Sequence, residues 1–210
     1  MHPIRILLTI GVGIGALIGC SSGPKPHAAT VTLESKSGST ITGSMKLSEH
    51  RGEVRLRGSI SGLELYSEHG FHIHEKGDCS AADASSAGGH FNPGGTAHGA
   101  ANGAVHHAGD LPSLRADAHG VASIDTVVPG VTLGDGPTSI KGRSLVVHGK
   151  ADDYTTQPSG NSGPRVACGV ICSTARRALQ LTRAAPGRER PQCARTPDGT
   201  LRARSAGGRA

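Results

Sequence analysis

Six histidines crowd the stretch from Gly70 to Asp110, with Asp110 itself closing it at a spacing a metal would impose, in the strings GFHIHEKGDC, GGHFNP, AHGA and HHAGD, and a further histidine closes SLVVH. Ten of the chain's twelve histidines lie between His50 and His148, in a sequence with two Phe, two Tyr and no Trp. Packing does not ask for that much imidazole, so metal binding is the chemistry to expect. His72 and His74 are two positions apart. On a strand, where side chains alternate, both rings would share one face while Phe71 and Ile73 turn to the core. His148 ends a second strand-like string, Leu145-Val146-Val147-His148, and is a candidate third ligand. His90, His98, His107 and Asp110 supply three imidazoles and a carboxylate, a set that suits tetrahedral zinc. His107-Ala108-Gly109-Asp110 would let two of them close on one ion from a tight turn. His106 competes with His107 and reads better as its neighbour. An all-imidazole set at the other site suits copper that must change oxidation state.

These residues need a rigid frame, and short segments of β-branched character supply one. Val31–Glu34, Thr40–Leu47, Glu53–Ile60, Phe71–Glu75, Val121–Val128, Ser144–His148 and Arg165–Ile171 recur between turn signals. Val54-Arg55-Leu56-Arg57 alternates apolar and polar side chains as a half-buried strand does. Thirty-two glycines and twelve prolines punctuate the chain, and helical periodicity is lacking before the C-terminal stretch. The expectation is all-β: an antiparallel sandwich or flattened barrel. Two long glycine-rich stretches, Lys76 to Gly120 and Gly149 to Pro164, interrupt it. Loops of that length in a compact domain are usually functional or disordered. Since these hold candidate ligands, function is the better reading.

The ends have a different character. Arg5 precedes a thirteen-residue apolar run, Ile6 to Ile18, well short of the roughly 20 residues that span a bilayer. Leu17-Ile18-Gly19-Cys20 then resembles a bacterial lipobox, which makes residues 1–19 a lipoprotein-type signal and Cys20 its acylated cysteine. An ordinary secretion signal with an incidental cysteine is the alternative. Either leads to an oxidising compartment, and acylation would hold the protein in the periplasm or envelope as a membrane-anchored lipoprotein. Residues 20–29, rich in Ser, Gly and Pro, read as a tether. At the other end, residues 173–210 carry nine Arg against one Glu and one Asp, net +7, and read as a disordered tail. Thr30 to Cys172 has 11 Lys and Arg against 14 Asp and Glu, net −3. The basic balance therefore belongs to the tail. With no basic face interleaved with aromatics, a nucleic-acid partner is not expected.

Taken together, GFHIHEKGDC, GGHFNP, HHAGDLP, LVVHGKADDY and NSGPRVACGVI resemble copper/zinc superoxide dismutases of the exported bacterial type, from roughly Thr30 to Ile171, in a domain bounded at 30–172. The resemblance implies a Greek-key antiparallel sandwich, a flattened eight-stranded barrel with two long functional loops, and one copper and one zinc per chain. It implies that copper is held by His72, His74, His90 and His148, and zinc by His90, His98, His107 and Asp110. His90 would bridge the two ions. Asp152 matches the carboxylate that links a ligand of each metal, and Arg165 the arginine that attracts superoxide to copper. Cys79 and Cys168, natural partners in an exported protein, match the family's disulfide. Cys172, four residues beyond, is a competing partner for Cys79, and Cys193 has no assigned role. The implied activity is conversion of superoxide to oxygen and hydrogen peroxide, protecting the cell envelope. Monomer and homodimer both stay open.

Overall fold

The structure is a computed structural model, and it describes residues 27–174 together with the short stretches 193–195 and 201–203. Alternation in the sequence becomes alternation in burial. Strand β1 (Ala28–Ser35) buries Ala29, Val31 and Leu33, and β2 (Thr42–His50) buries Met45 and Leu47. Strand β3 (Glu53–Ser61) buries Val54, Leu56 and Ile60. The residues between them point to water. Between β2 and β3 the turn residues Arg51 and Gly52 both have positive φ, 53° and 82°. That is the requirement of the tight hairpin turn whose twist matches its strands.

Two-residue β4 (Glu68–His69) pairs with β6 (Leu114–Arg115). Strand β5 (Phe71–His74) lies between them in the chain, and β7 (Val121–Val128) follows. Then come β8 (Ser144–His148), β9 (Arg165–Val170) and β10 (Cys172–Ser173). The main sheet is eight-stranded and antiparallel, in the order β5-β8-β9-β1-β2-β3-β7, with β10 also on β1. The chain runs from β5 at one edge to β7 at the other, then returns to β8 beside β5. These are Greek-key crossovers, and the sheet curls around one apolar core as a half-barrel. Among the described residues the sole helical element is a 3-10 turn, Ser85–Ala87. The core is aliphatic, with Leu, Ile and Val supplying most of its volume around Phe71.

Strands β5 and β8 differ from the rest, because every one of their residues is buried. Phe71 and Ile73 enter the core as expected, both fully buried. His72 and His74 lie on the opposite face and are just as buried, because the two long loops fold over them.

A disulfide joins Cys79, in the first of those loops, to Cys168 on β9 across 89 positions. The competition expected from Cys172 is corrected by the structure, where Cys172 pairs with Cys193 instead. The partner stands in β11 (Cys193–Arg195), which forms a two-stranded ribbon with β12 (Leu201–Ala203). Both cystines border one small apolar cluster with Ala84, Ala87, Val146 and Val170. The signal, most of the tether and Cys20 lie outside the described residues, as does most of the stretch read as a tail.

Candidate metal centre

Register between β5 and β8 builds the first half of the site. Phe71 stands opposite Val147 and His72 opposite Val146, so the end of β8 delivers His148 beside the β5 pair. His148 is held there by its backbone N–H, which donates to Gly70 O at 2.9 Å. His69 adds a ring N–H donated from Nδ1 to His148 O at 2.7 Å, with its Nε2 2.8 Å from Ser67 Oγ. His90 comes from the first loop and reaches β5 through a bridge opposite His74. The donor atoms of His72, His74, His90 and His148 all lie within 4.8 Å of one another.

The second half is made of loop. His90, His98, His107 and Asp110 form another group within the same 4.8 Å limit, and His90 belongs to both. Asp110 N–H donates to His107 O at 3.1 Å, the tight turn expected of this segment. Asp110 Oδ2 accepts from the backbone N–H of His107 at 2.8 Å and of Gly99 at 3.1 Å. His106 belongs to neither group; its Nδ1 donates to His107 O at 2.7 Å.

Hydrogen bonds decide which ring nitrogen faces inward. His72 Nε2 donates to Asp152 Oδ2 at 2.8 Å, which leaves Nδ1. His98 Nε2 donates to Asp152 Oδ1 at 2.9 Å, which likewise leaves Nδ1. His74 Nδ1 donates to Gly88 O at 2.9 Å, and its Nε2 stands 3.3 Å from His148 Nε2. His90 Nδ1 is 2.8 Å from Asp110 Oδ1 and 3.4 Å from His107 Nδ1, leaving Nε2 for the other group. Three of these inward nitrogens, His72 Nδ1, His90 Nε2 and His98 Nδ1, are buried without a hydrogen-bond partner. Buried polar atoms are normally paired, because an unpaired one costs roughly 1–3 kcal/mol. Three together, each aimed into a nest of lone pairs, fit two cations. The donor chemistry agrees: one set is all imidazole, the other three imidazoles and a carboxylate.

Burial also keeps the rings ready to bind. It drives His72 and His74 well below the usual histidine range and brings His148 down to about 4. His107 is lowered too, chiefly by burial, with Asp110 opposing. Burial pushes Asp110 upward, yet the bonds from His90 and from the N–H groups of His107 and Gly99 outweigh it and hold the carboxyl below its ordinary value. At neutral pH these rings are therefore uncharged and Asp110 is ionised, the states that ligate metal.

Half-buried Arg165, at the start of β9, completes the arrangement. Its Nη1 donates to Ala84 O and its Nη2 to Gly88 O, both at 2.7 Å. Gly88 O thus accepts from Arg165 and from His74, tying the guanidinium to a ring of the all-histidine group. Burial lowers the arginine's pKa, with Asp83 opposing. The Cys79–Cys168 disulfide anchors the same loop segment to the strand that carries Arg165.

All the expected ligands and Asp152 meet in one place, and sequence reasoning missed three further contributors. Gly88 acts through its carbonyl, which no side chain advertises. His69 acts on a neighbour 79 residues away. Gln157 touches the backbone of His98. Only the β5–β8 register and the loop crossings reveal the last two.

Comparison with known proteins agrees with this geometry. Residues 41–171 match the family model described as copper/zinc superoxide dismutase. The chain is 38% identical over 151 residues to superoxide dismutase [Cu-Zn] 2 of Aquifex aeolicus, covering 70% of this chain and 86% of that protein. It is 39% identical over 150 residues to the extracellular superoxide dismutase [Cu-Zn] of Caenorhabditis elegans, covering 69% and 66%. Among solved structures, a double mutant of a superoxide dismutase-like protein from Bacillus subtilis superposes with a TM-score of 0.62 at 40% identity, covering 68% of this chain and 95% of that one.

Proposed function

The chain belongs to the copper/zinc superoxide dismutase family, and from that membership we propose that it converts two superoxide ions and two protons to oxygen and hydrogen peroxide. The observation that carries this reading is the ring of His90, common to two four-donor groups, with its Nε2 buried and unpaired. The family uses copper and zinc. In our reading His72, His74, His90 and His148 hold copper, while His90, His98, His107 and Asp110 hold zinc. When bound, copper supplies a centre that accepts one electron and returns it, and zinc supplies fixed charge beside it.

The chain's own groups do the rest. Arg165 presents a cation next to the all-histidine group, held in aim by two carbonyls, so an anion entering there meets positive charge although the domain's net charge is −3. His90 can carry a proton at Nε2 while its Nδ1 stays within the carboxylate-containing group. Asp152 fixes both His72 and His98 by accepting from each, so the two halves share one orienting carboxylate.

We further read residues 1–19 as a lipoprotein-type signal, 20–29 as a tether from lipidated Cys20, 30–172 as the catalytic domain and 173–210 as a tail. Export is supported by two disulfides and by similarity to a relative named as extracellular. Anchoring at the cell envelope, in the periplasm, follows from acylation of Cys20, and a homodimer is compatible with the family. The test is metal content and dismutation by the purified mature chain. One copper and one zinc per chain, with cyanide-sensitive dismutation, are expected. A chain replete with both metals and unable to dismute superoxide would refute the reading.

A further inference from the structure

Of the four groups we read as zinc ligands, His98 alone has its polar groups held by a different loop. The N–H groups of His107 and Gly99 fold Asp110 into place within residues 90–110, but His98 depends on residues 149–164. Its backbone N–H donates to Gln157 Oε1 at 2.8 Å, and its carbonyl accepts from Gln157 Nε2 at 3.0 Å. Its ring Nε2 donates to Asp152 Oδ1 at 2.9 Å. With those three groups bound, Nδ1 is left free and stands 3.1 Å from Asp110 Oδ1. Gly160 brings that loop's backbone against the ring: a Cβ there would fall 2.6 Å from His98 Nε2.

The Gln157 amide is itself fixed. A second bond from Nε2, to Thr155 O at 3.2 Å, means that a flipped amide would oppose like groups at every contact. His98 is buried and lies outside any strand, so no ladder would satisfy its N–H and C=O if the glutamine were lost.

We propose that Gln157 is a positioning residue for zinc: by clasping both backbone groups of His98 from the neighbouring loop, it aims Nδ1 at the ion and governs how tightly zinc is held. The inference rests on the ligand reading given above. It makes zinc retention a property of both loops, with Asp152 and Gln157 acting on the ring and backbone of one ligand.

The experiment compares the mature wild-type chain with Gln157→Met, which keeps the length but cannot hydrogen-bond, and Gln157→Glu, which still accepts from His98 N–H but cannot donate to its carbonyl. Zinc and copper dissociation constants are measured separately by chelator competition, and cobalt(II) in the zinc position reports coordination through its visible spectrum. Zinc binding should weaken about tenfold or more in Gln157→Met and less in Gln157→Glu, within the range for partners of metal ligands, with copper binding changed less than about twofold. Unchanged zinc binding in Gln157→Met, or equal loss of both metals, overturns the proposal. Should Gln157→Met fail to fold, wild-type zinc binding and an unaltered cobalt spectrum in Gln157→Glu overturn it instead. A wild-type chain that takes up copper but no zinc would sink the ligand reading itself, a result separable from any variant effect.

Discussion

The two halves of the metal centre are built in different ways. On the all-histidine side, His72 and His74 sit on β5 and His148 on β8, antiparallel neighbours whose register places the rings. On the other side every donor comes from residues 90–110, outside the named strands, and order depends on hydrogen bonds such as those to Asp110 Oδ2. A sheet fixes ligands through many cooperative ladder bonds, whereas a loop fixes them one bond at a time. The all-histidine half, which we read as the copper site, should therefore be nearly formed before metal arrives, and the half we read as the zinc site more dependent on its ion.

His90 is where that division breaks down, since one ring serves both halves. His90→Ala should produce the largest effect, weakening each metal by more than the roughly 100-fold upper range seen for partners outside the ligand sphere. Metal content after dialysis and the copper electron paramagnetic resonance spectrum check it. Wild-type copper coordination in this variant would show that the halves do not share the ring.

The disulfide tests the division from the strand side. Cys79–Cys168 closes a span of 89 positions and anchors the segment whose Gly88 carbonyl holds His74 and Arg165. Cys79→Ser with Cys168→Ser should cost about 2–5 kcal/mol in urea unfolding of the metal-free protein. Chain entropy makes the Cys172–Cys193 pair, 21 positions apart, worth about 1 kcal/mol less. If the two removals cost the same, entropy of the unfolded chain is not what distinguishes them.

The same contrast explains what the sequence discloses. Alternation in β1, β2 and β3 made those strands legible, because one face meets water and the other the core. Strands β5 and β8 are covered on both faces, so their buried polar side, His72 and His74, showed itself through chemistry and not through hydropathy. The two-residue pair β4–β6 left no periodic trace; it exists because tertiary contacts bring Glu68 and His69 to Arg115 and Leu114. Ligand types and spacings gave the site, but the contacts that aim them are mostly made to backbone atoms. Gly88 O, His148 O and the N–H and C=O of His98 are chemically the same in any residue, so neither they nor their partners, His69 and Gln157, could be picked out by type. The Cys172–Cys193 pairing was hidden for a related reason: five cysteines do not state their own connectivity.

The smallest expected effect separates attraction from coordination. The Arg165 guanidinium bonds to Ala84 O and Gly88 O and to no donor atom of either group, although its backbone stands opposite His148 in the β8–β9 pairing. Arg165→Ala should leave both metals bound and lower kcat/KM by about tenfold at low ionic strength, the lower end of what electrostatic focusing contributes. Added salt should narrow the gap, since screening within about 10 Å at 0.1 M weakens the wild-type attraction. Arg165→Lys keeps the charge but not the planar fork that reaches two carbonyls at once, so its rate should fall between the others. Rates measured across ionic strength decide the matter. If Arg165→Ala matches wild type at low salt, the guanidinium does not attract the anion; if its deficit persists unchanged at high salt, the guanidinium acts on the fold of the 84–88 turn instead.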